Sequence, residues 1–130
     1  MFTKYYSIVG KEFLLEESEA TESAVAAINS AYESLANTNP DMDETSKILY
    51  LVLQAEVKKH DIPSGAPSTR IKIKVISREF TISTTEQAKT ILKQVEKDLD
   101  KRYLSLLARY PDKSTEELSR IMLLQMYLPS

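Results

Sequence analysis

His60 is the only imidazole in the chain, and cysteine is absent. Disulfides, thiolate chemistry and Cys/His metal clusters are excluded by residue type. No second histidine or cysteine can share an ion with His60, so it reads as a solvated residue at a helix end, not a ligand. A Ser-His-Asp relay would have to be assembled around that same residue, beside a segment of linker composition. The carboxylate pairs Glu16-Glu17 and Glu116-Glu117 fall where helices are expected to start. There they complement the positive end of the helix dipole and are not placed to share a proton. The two glycines, Gly10 and Gly65, are too far apart to form a phosphate-cradling loop. The expectation is a non-enzymatic protein with no cofactor and no metal.

What chemistry remains is electrostatic. Arg70, Lys72, Lys74 and Arg78 form a basic stripe in the second half of the chain. Aromatic residues do not interleave it, and net charge is −2 overall, so nucleic acid is not the expected partner. A solvated strand face, with lysines that block open-ended pairing, is the plain reading of the stripe. Charge is unevenly distributed. Residues 1–60 carry 5 Lys and no Arg against 10 Asp and Glu, a balance of −5. Residues 61–130 carry 12 Lys and Arg against 9 Asp and Glu, a balance of +3. Two readings stay open: drift on two solvated surfaces, or halves that attract each other while only the second presents a basic face.

The positions of these residues depend on a phrase that occurs twice. I-V-G-K-E-F at 8–13 lies on V-I-S-R-E-F at 75–80 with an offset of 67. Further along the offset becomes 71: Tyr32-Glu33-Ser34-Leu35 lies on Tyr103-Leu104-Ser105-Leu106, and Pro40-Asp41 on Pro111-Asp112. The four extra residues enter inside a helical stretch. Four residues are about one turn, so an apolar face survives the insertion. The chain reads as a duplication, with chance similarity between two like units as the alternative. Residues 1–60 are the first unit, 61–69 a linker with two prolines and a glycine, and 70–130 the second unit.

Each unit reads as strand, strand, helix, helix. Ile71, Ile73 and Val75 alternate with Arg70, Lys72 and Lys74, the period-two pattern of a half-buried strand. Tyr6 and Ile8 carry the same face more weakly, interrupted by Lys4. Gly10-Lys11 is expected to form a type II′ turn, and Ser77-Arg78 the matching turn. Phe13 and Leu15, or Phe80 and Ile82, face inward on the return strand. Ser83 with Glu86 has the form of a capping box opening a helix that continues to about Arg109. The first-copy helix carries Ala20, Ala24, Ala27, Ile28, Ala31 and Leu35. Pro40 and Pro111 end these helices. Second helices are expected from about Asp43 to Lys59, and from Ser114 through Leu128. Leu49, Tyr50, Leu51, Val52 and Leu53 are consecutive, so the helix that carries them needs neighbours on several sides. A unit of about 60 residues buries only ~60% of its unfolded surface and is marginal alone. The fold class is therefore α+β: two ββαα repeats packed as a pseudo-twofold intramolecular dimer.

The second copy resembles the head of ZapA, the bacterial family associated with the FtsZ division ring. The resemblance lies in I-K-I-K-V-I-S-R-E-F-T-I (71–82), L-D-K-R-Y-L-S-L-L-A-R-Y (99–110) and P-D-K-S-T-E-E-L-S-R-I-M-L-L-Q-M-Y-L (111–128). The first copy is similar more loosely, through I-V-G-K-E-F, I-N-S-A-Y-E-S-L and L-V-L-Q-A-E. The resemblance implies heads that dimerise and cross-link FtsZ protofilaments, with a basic hairpin residue in the contact. That residue falls on Arg78, and on Lys11 in the first copy. A solvent-exposed turn position explains both equally well. Arg109 is a further basic neighbour, and Lys72 and Lys74 complete the expected partner-binding set. Residues 1–130 contain no sustained heptad, so the coiled-coil stalk of the family is not expected here. The expected partner is a protein, FtsZ first, with neither nucleic acid nor membrane involved. The alternative is a duplicated interaction module that binds another cytoplasmic protein. The chain is expected to be a monomeric pseudo-dimer or a higher homo-oligomer. The N-terminus M-F-T-K-Y-Y-S lacks an apolar core, and no apolar run reaches the ~18 residues of a membrane span, so the expected location is cytoplasmic.

Overall fold

Alternation of apolar and charged residues yields two antiparallel hairpins in the computed structural model, which describes residues 2–60 and 68–128. The first pairs β1 (Thr3–Ile8) with β2 (Lys11–Glu16), and α1 (Glu19–Thr38) and α2 (Glu44–Lys58) follow. The second pairs β3 (Thr69–Val75) with β4 (Arg78–Thr84), followed by α3 (Glu86–Arg109) and α4 (Thr115–Tyr127). The order ββααββαα is thus an α+β architecture with two separate two-stranded sheets. The linker expected at 61–69 lies mostly outside the described residues; β3 already begins at Thr69. No described helix is long and apolar enough to cross a membrane.

Both turns sit one residue earlier than the sequence suggests. Ile8 pairs with Lys11 and Val75 with Arg78, so the loops are Val9-Gly10 and Ile76-Ser77. Gly10 occupies the second loop position, at φ 77°, and Val9 precedes it at φ 49°. Two positive φ values are what a type I′ turn requires. Ile76 matches Val9, at φ 58°. A β-branched residue in this region is strained. The conformation is compensated at Val9 because the side chain is buried, and at Ile76 because it packs against the core.

The helix ends follow from capping chemistry. Ser18, Asp43 and Ser114 each accept a backbone N–H three residues on. The expected cap Ser83 is instead a strand residue paired with Arg70. Thr84 stays in the ladder opposite Thr69, so Thr85 becomes the N-cap and accepts from Ala88. The loops before the second helices have matching torsions at their first and last residues. Asn39 has φ −134°, ψ 66° and Tyr110 φ −132°, ψ 66°. Asp43 has φ −73°, ψ 166° and Ser114 φ −72°, ψ 165°. The bonds agree too: Met42 N to Asn39 O and Lys113 N to Tyr110 O are both 3.2 Å. The first helices differ in length, 20 residues against 24, which is the four-residue change of offset.

The interior forms where α2 lies against α4, the most extensive helix–helix contact. Ile48, Leu49, Val52, Leu118, Met122 and Leu123 are all fully buried. α1 covers one side through Ala24, Val25 and Ile28, and α3 the other through Leu92, Val95 and Leu99. Each hairpin packs on the first helix of its own half, β1 on α1 and β3 on α3. Each also reaches the second helix of the other half. Phe80 stacks on Tyr50 of α2, with ring centroids 5.4 Å apart. Phe13 and Ile121 of α4 line one cleft on the opposite side. A lone two-stranded hairpin is marginal in water, so packing on its own first helix and these cross-contacts together hold each sheet.

Candidate partner-binding surface

The five basic residues singled out by the sequence fall into two groups. Arg78, Lys72 and Lys74 belong to the β3–β4 hairpin, and Lys11 to the tip of β1–β2. Arg109 ends α3 with its guanidinium over the Tyr110 ring, 5.6 Å from the centroid. Tyr110 lines the cleft beside the first hairpin, so Arg109 lies on the Lys11 side.

Both hairpin tips use their basic residue internally. Arg78 donates from Nε to Ser46 Oγ at 3.0 Å, and its Nη2 lies 3.2 Å from Asp43 Oδ2. These are the N-cap and first turn of α2, a helix of the other half. Hydrogen bonds from the Ser46 side chain and backbone hold the Asp43 carboxyl below its usual range, and Arg78 adds to this. Lys11 Nζ lies 3.6 Å from Glu117 Oε1 in the first turn of α4. Desolvation works against ionisation of Glu117, but Lys11, the Ser114 hydrogen bond and Lys113 together hold its carboxyl below the usual range. With an offset of 67 on the hairpins and 71 on the helices, Lys11–Glu117 and Arg78–Ser46 are corresponding pairs.

Lys72 and Lys74 are exposed on the outer face of β3. Lys72 Nζ stands 3.8 Å from Glu79 Oε1, a contact between two well-solvated chains. The Lys74 backbone N–H donates to Glu96 Oε2 at 2.7 Å, leaving the ammonium outside that bond. The corresponding outer face of the first hairpin is different. Tyr5 and Leu14, directly paired across β1 and β2, are 65% and 56% exposed. Their counterparts on the second hairpin, by the offset of 67, are Lys72 and Thr81, also paired.

Arg120 is the charged residue that sequence reading missed. Its side chain is only 4% exposed. It donates from Nε to Ile8 O at 3.1 Å, and from Nη2 to Val9 O at 2.9 Å and Glu44 Oε1 at 2.8 Å. It therefore ties α4 to the end of β1 and the start of α2. The available signal was an arginine inside the apolar run L-S-R-I-M-L-L, four residues after Glu116. Its counterpart in the first half, by the offset of 71, is the buried Leu49.

His60 is less solvated than expected. Its Nε2 lies 3.6 Å from Glu56 Oε1, its side chain is 32% exposed, and Asp98 of α3 is close by. A histidine without a second histidine or cysteine still has two carboxylates within reach.

Comparison with protein families, with curated proteins and with solved structures finds no match to the chain. The class of protein is thus defined by its own architecture. Among the described residues it is α+β, with eight elements in the order ββααββαα, one hairpin presenting lysines and the other apolar side chains.

Proposed function

We propose that the chain is a tandem duplication of a ZapA-like head, folded as an intramolecular pseudo-twofold dimer, and that it is a non-enzymatic protein that binds FtsZ or modulates its assembly. The observation that carries the duplication is the hydrogen bond from Thr45 Oγ1 to Glu116 Oε1, 2.9 Å. With the offset of 71, Glu116 is the counterpart of Thr45. A residue that touches its own counterpart marks the position of a twofold axis in an isologous dimer. The matching tip contacts of Lys11 and Arg78, and the matching torsions before α2 and α4, support the same axis. Joining the two heads replaces a concentration-dependent association with an intramolecular one.

The FtsZ reading rests on the resemblance of residues 71–128 and on the basic outer face of the second hairpin. Because Arg78 holds the start of α2, the freer cations are Lys72 and Lys74. Co-sedimentation with FtsZ polymers tests the proposal. The chain should pellet with polymer, and Lys72→Glu with Lys74→Glu should reduce the bound fraction several-fold. Absence from the pellet under every nucleotide condition rejects FtsZ as the partner. A second reading, an interaction module for another protein, is favoured by the exposed cross-strand pair Tyr5 and Leu14. Exposed apolar residues clustered on one face are a feature of contact surfaces. Tyr5→Ser with Leu14→Ser should then abolish capture of that protein from the host while leaving any FtsZ pelleting unchanged.

A further inference from the structure

We propose that Glu56, His60 and Asp98 form a divalent-cation site, of zinc type, that fastens the end of α2 to α3. Glu56 lies on the last turn of α2 and His60 four residues later. The turn between them is ordered by Lys59 N to Glu56 O and His60 N to Val57 O, both 3.1 Å. Asp98 comes from the middle of α3, in the other half of the chain. One ligand atom from each residue lies within 4.8 Å of the others.

The independent sign of a ligand is the state of Glu56. The residue is 6% exposed, and its Oε2 is buried with no hydrogen-bond partner. Burying a carboxylate without compensation is costly. Its neighbours compensate incompletely. Arg102 Nη1 stands 3.5 Å from Oε2 without making a hydrogen bond, and the Arg102 side chain is 38% exposed. His60 Nε2 is 3.6 Å from Oε1, too long for a hydrogen bond. Asp98 adds a second negative charge, with Oδ1 accepting from Gln94 Nε2 at 2.9 Å.

A dication neutralises both carboxylates, and Arg102 is exposed enough to turn toward solvent. One imidazole nitrogen and two carboxylate oxygens are ligands zinc accepts, with water in the fourth position. At bond lengths near 2.1 Å the ligand atoms stand roughly 3.4 Å apart, so side-chain rotation of about an ångström closes the cage. The site has no counterpart in the other half, where Tyr127 corresponds to Glu56 and Ala27 to Asp98. It would distinguish one end of the molecule from the other.

The single histidine makes the test direct. Zinc is titrated into tag-free protein while the imidazole resonances are followed by NMR and the melting temperature is measured. The ring resonances should shift and saturate at one equivalent, the melting temperature should rise, and a chelator should reverse both. Asp98→Asn and the isosteric Glu56→Gln should each weaken binding by at least about tenfold, the scale on which even indirect contacts to a metal act. An unshifted imidazole at stoichiometric zinc overturns the proposal. So does zinc binding of undiminished affinity in both carboxamide variants, which would leave His60 as a lone surface ligand.

Discussion

Arg120 has a guanidinium almost out of water whose donors are spent on three backbone carbonyls, those of Ile8, Val9 and Glu116, and on the Glu44 carboxylate. Removing it leaves the carbonyls of Ile8 and Val9 without that partner at the strained end of β1. Arg120→Ala should therefore cost about 3 kcal/mol in urea unfolding, well above an ordinary surface ion pair. A loss under about 1 kcal/mol would mean that water replaces the guanidinium freely. Asp43 and Glu117 give a pH prediction. Both carboxyls are held low in the folded state, so the unfolded chain takes up protons first. Their stabilisation is complete above the ordinary carboxyl values near pH 4, and is lost as pH falls through the lower folded values. Asp43→Asn should flatten the acid limb of the unfolding midpoint plotted against pH; an unaltered limb would contradict the Ser46 and Arg78 contacts. Lys11 and Arg78 were legible as tip residues because the recurring phrase puts a basic residue next to the turn in both halves, although the sequence placed them inside the loop and the register places them at the first strand position after it. Their partners were not, because Glu117 and Ser46 are brought to them only by packing of the two halves.

β3 was legible as a strand because its period is pure. Ile71, Ile73 and Val75 alternate with cations and are buried in that order. The turn and cap positions were less legible, for identifiable reasons. Glycine suits the first loop position of one hairpin turn and the second of another, and only the register of Tyr6 with Phe13 decides between them. Ser83-Thr84-Thr85 offers three hydroxyls in succession, each able to cap a helix, and the pairing of β3 with β4 consumes the first two. Thr85→Ala should thus destabilise by about 1 kcal/mol, while Ser83→Ala stays within about 0.5 kcal/mol. The reverse order would return the cap to Ser83. A Cβ at Gly10 meets no atom, yet φ is 77°. Gly10→Ala should cost about 1 kcal/mol from backbone strain alone, read from the same unfolding curves.

At the scale of the whole chain, neither half encloses its own second helix. Leu49 and Leu123 are both fully buried, and α2 and α4 are each other's principal helical neighbours. The need for such a partner was legible from five consecutive apolar residues in α2; that α4 supplies it is seen only in the packing. The consequence is a single cooperative unit. Leu49→Ala in the first half and Leu123→Ala in the second should each cost about 2–5 kcal/mol, and each should lower the stability of both halves. The most direct test is equilibrium urea unfolding followed by residue-resolved NMR, reading Ile28 for the first half and Ile73 for the second. One shared core predicts coincident midpoints in the unaltered chain and an equal shift of both with Leu123→Ala. Separate midpoints, or a shift confined to the second half, would contradict it.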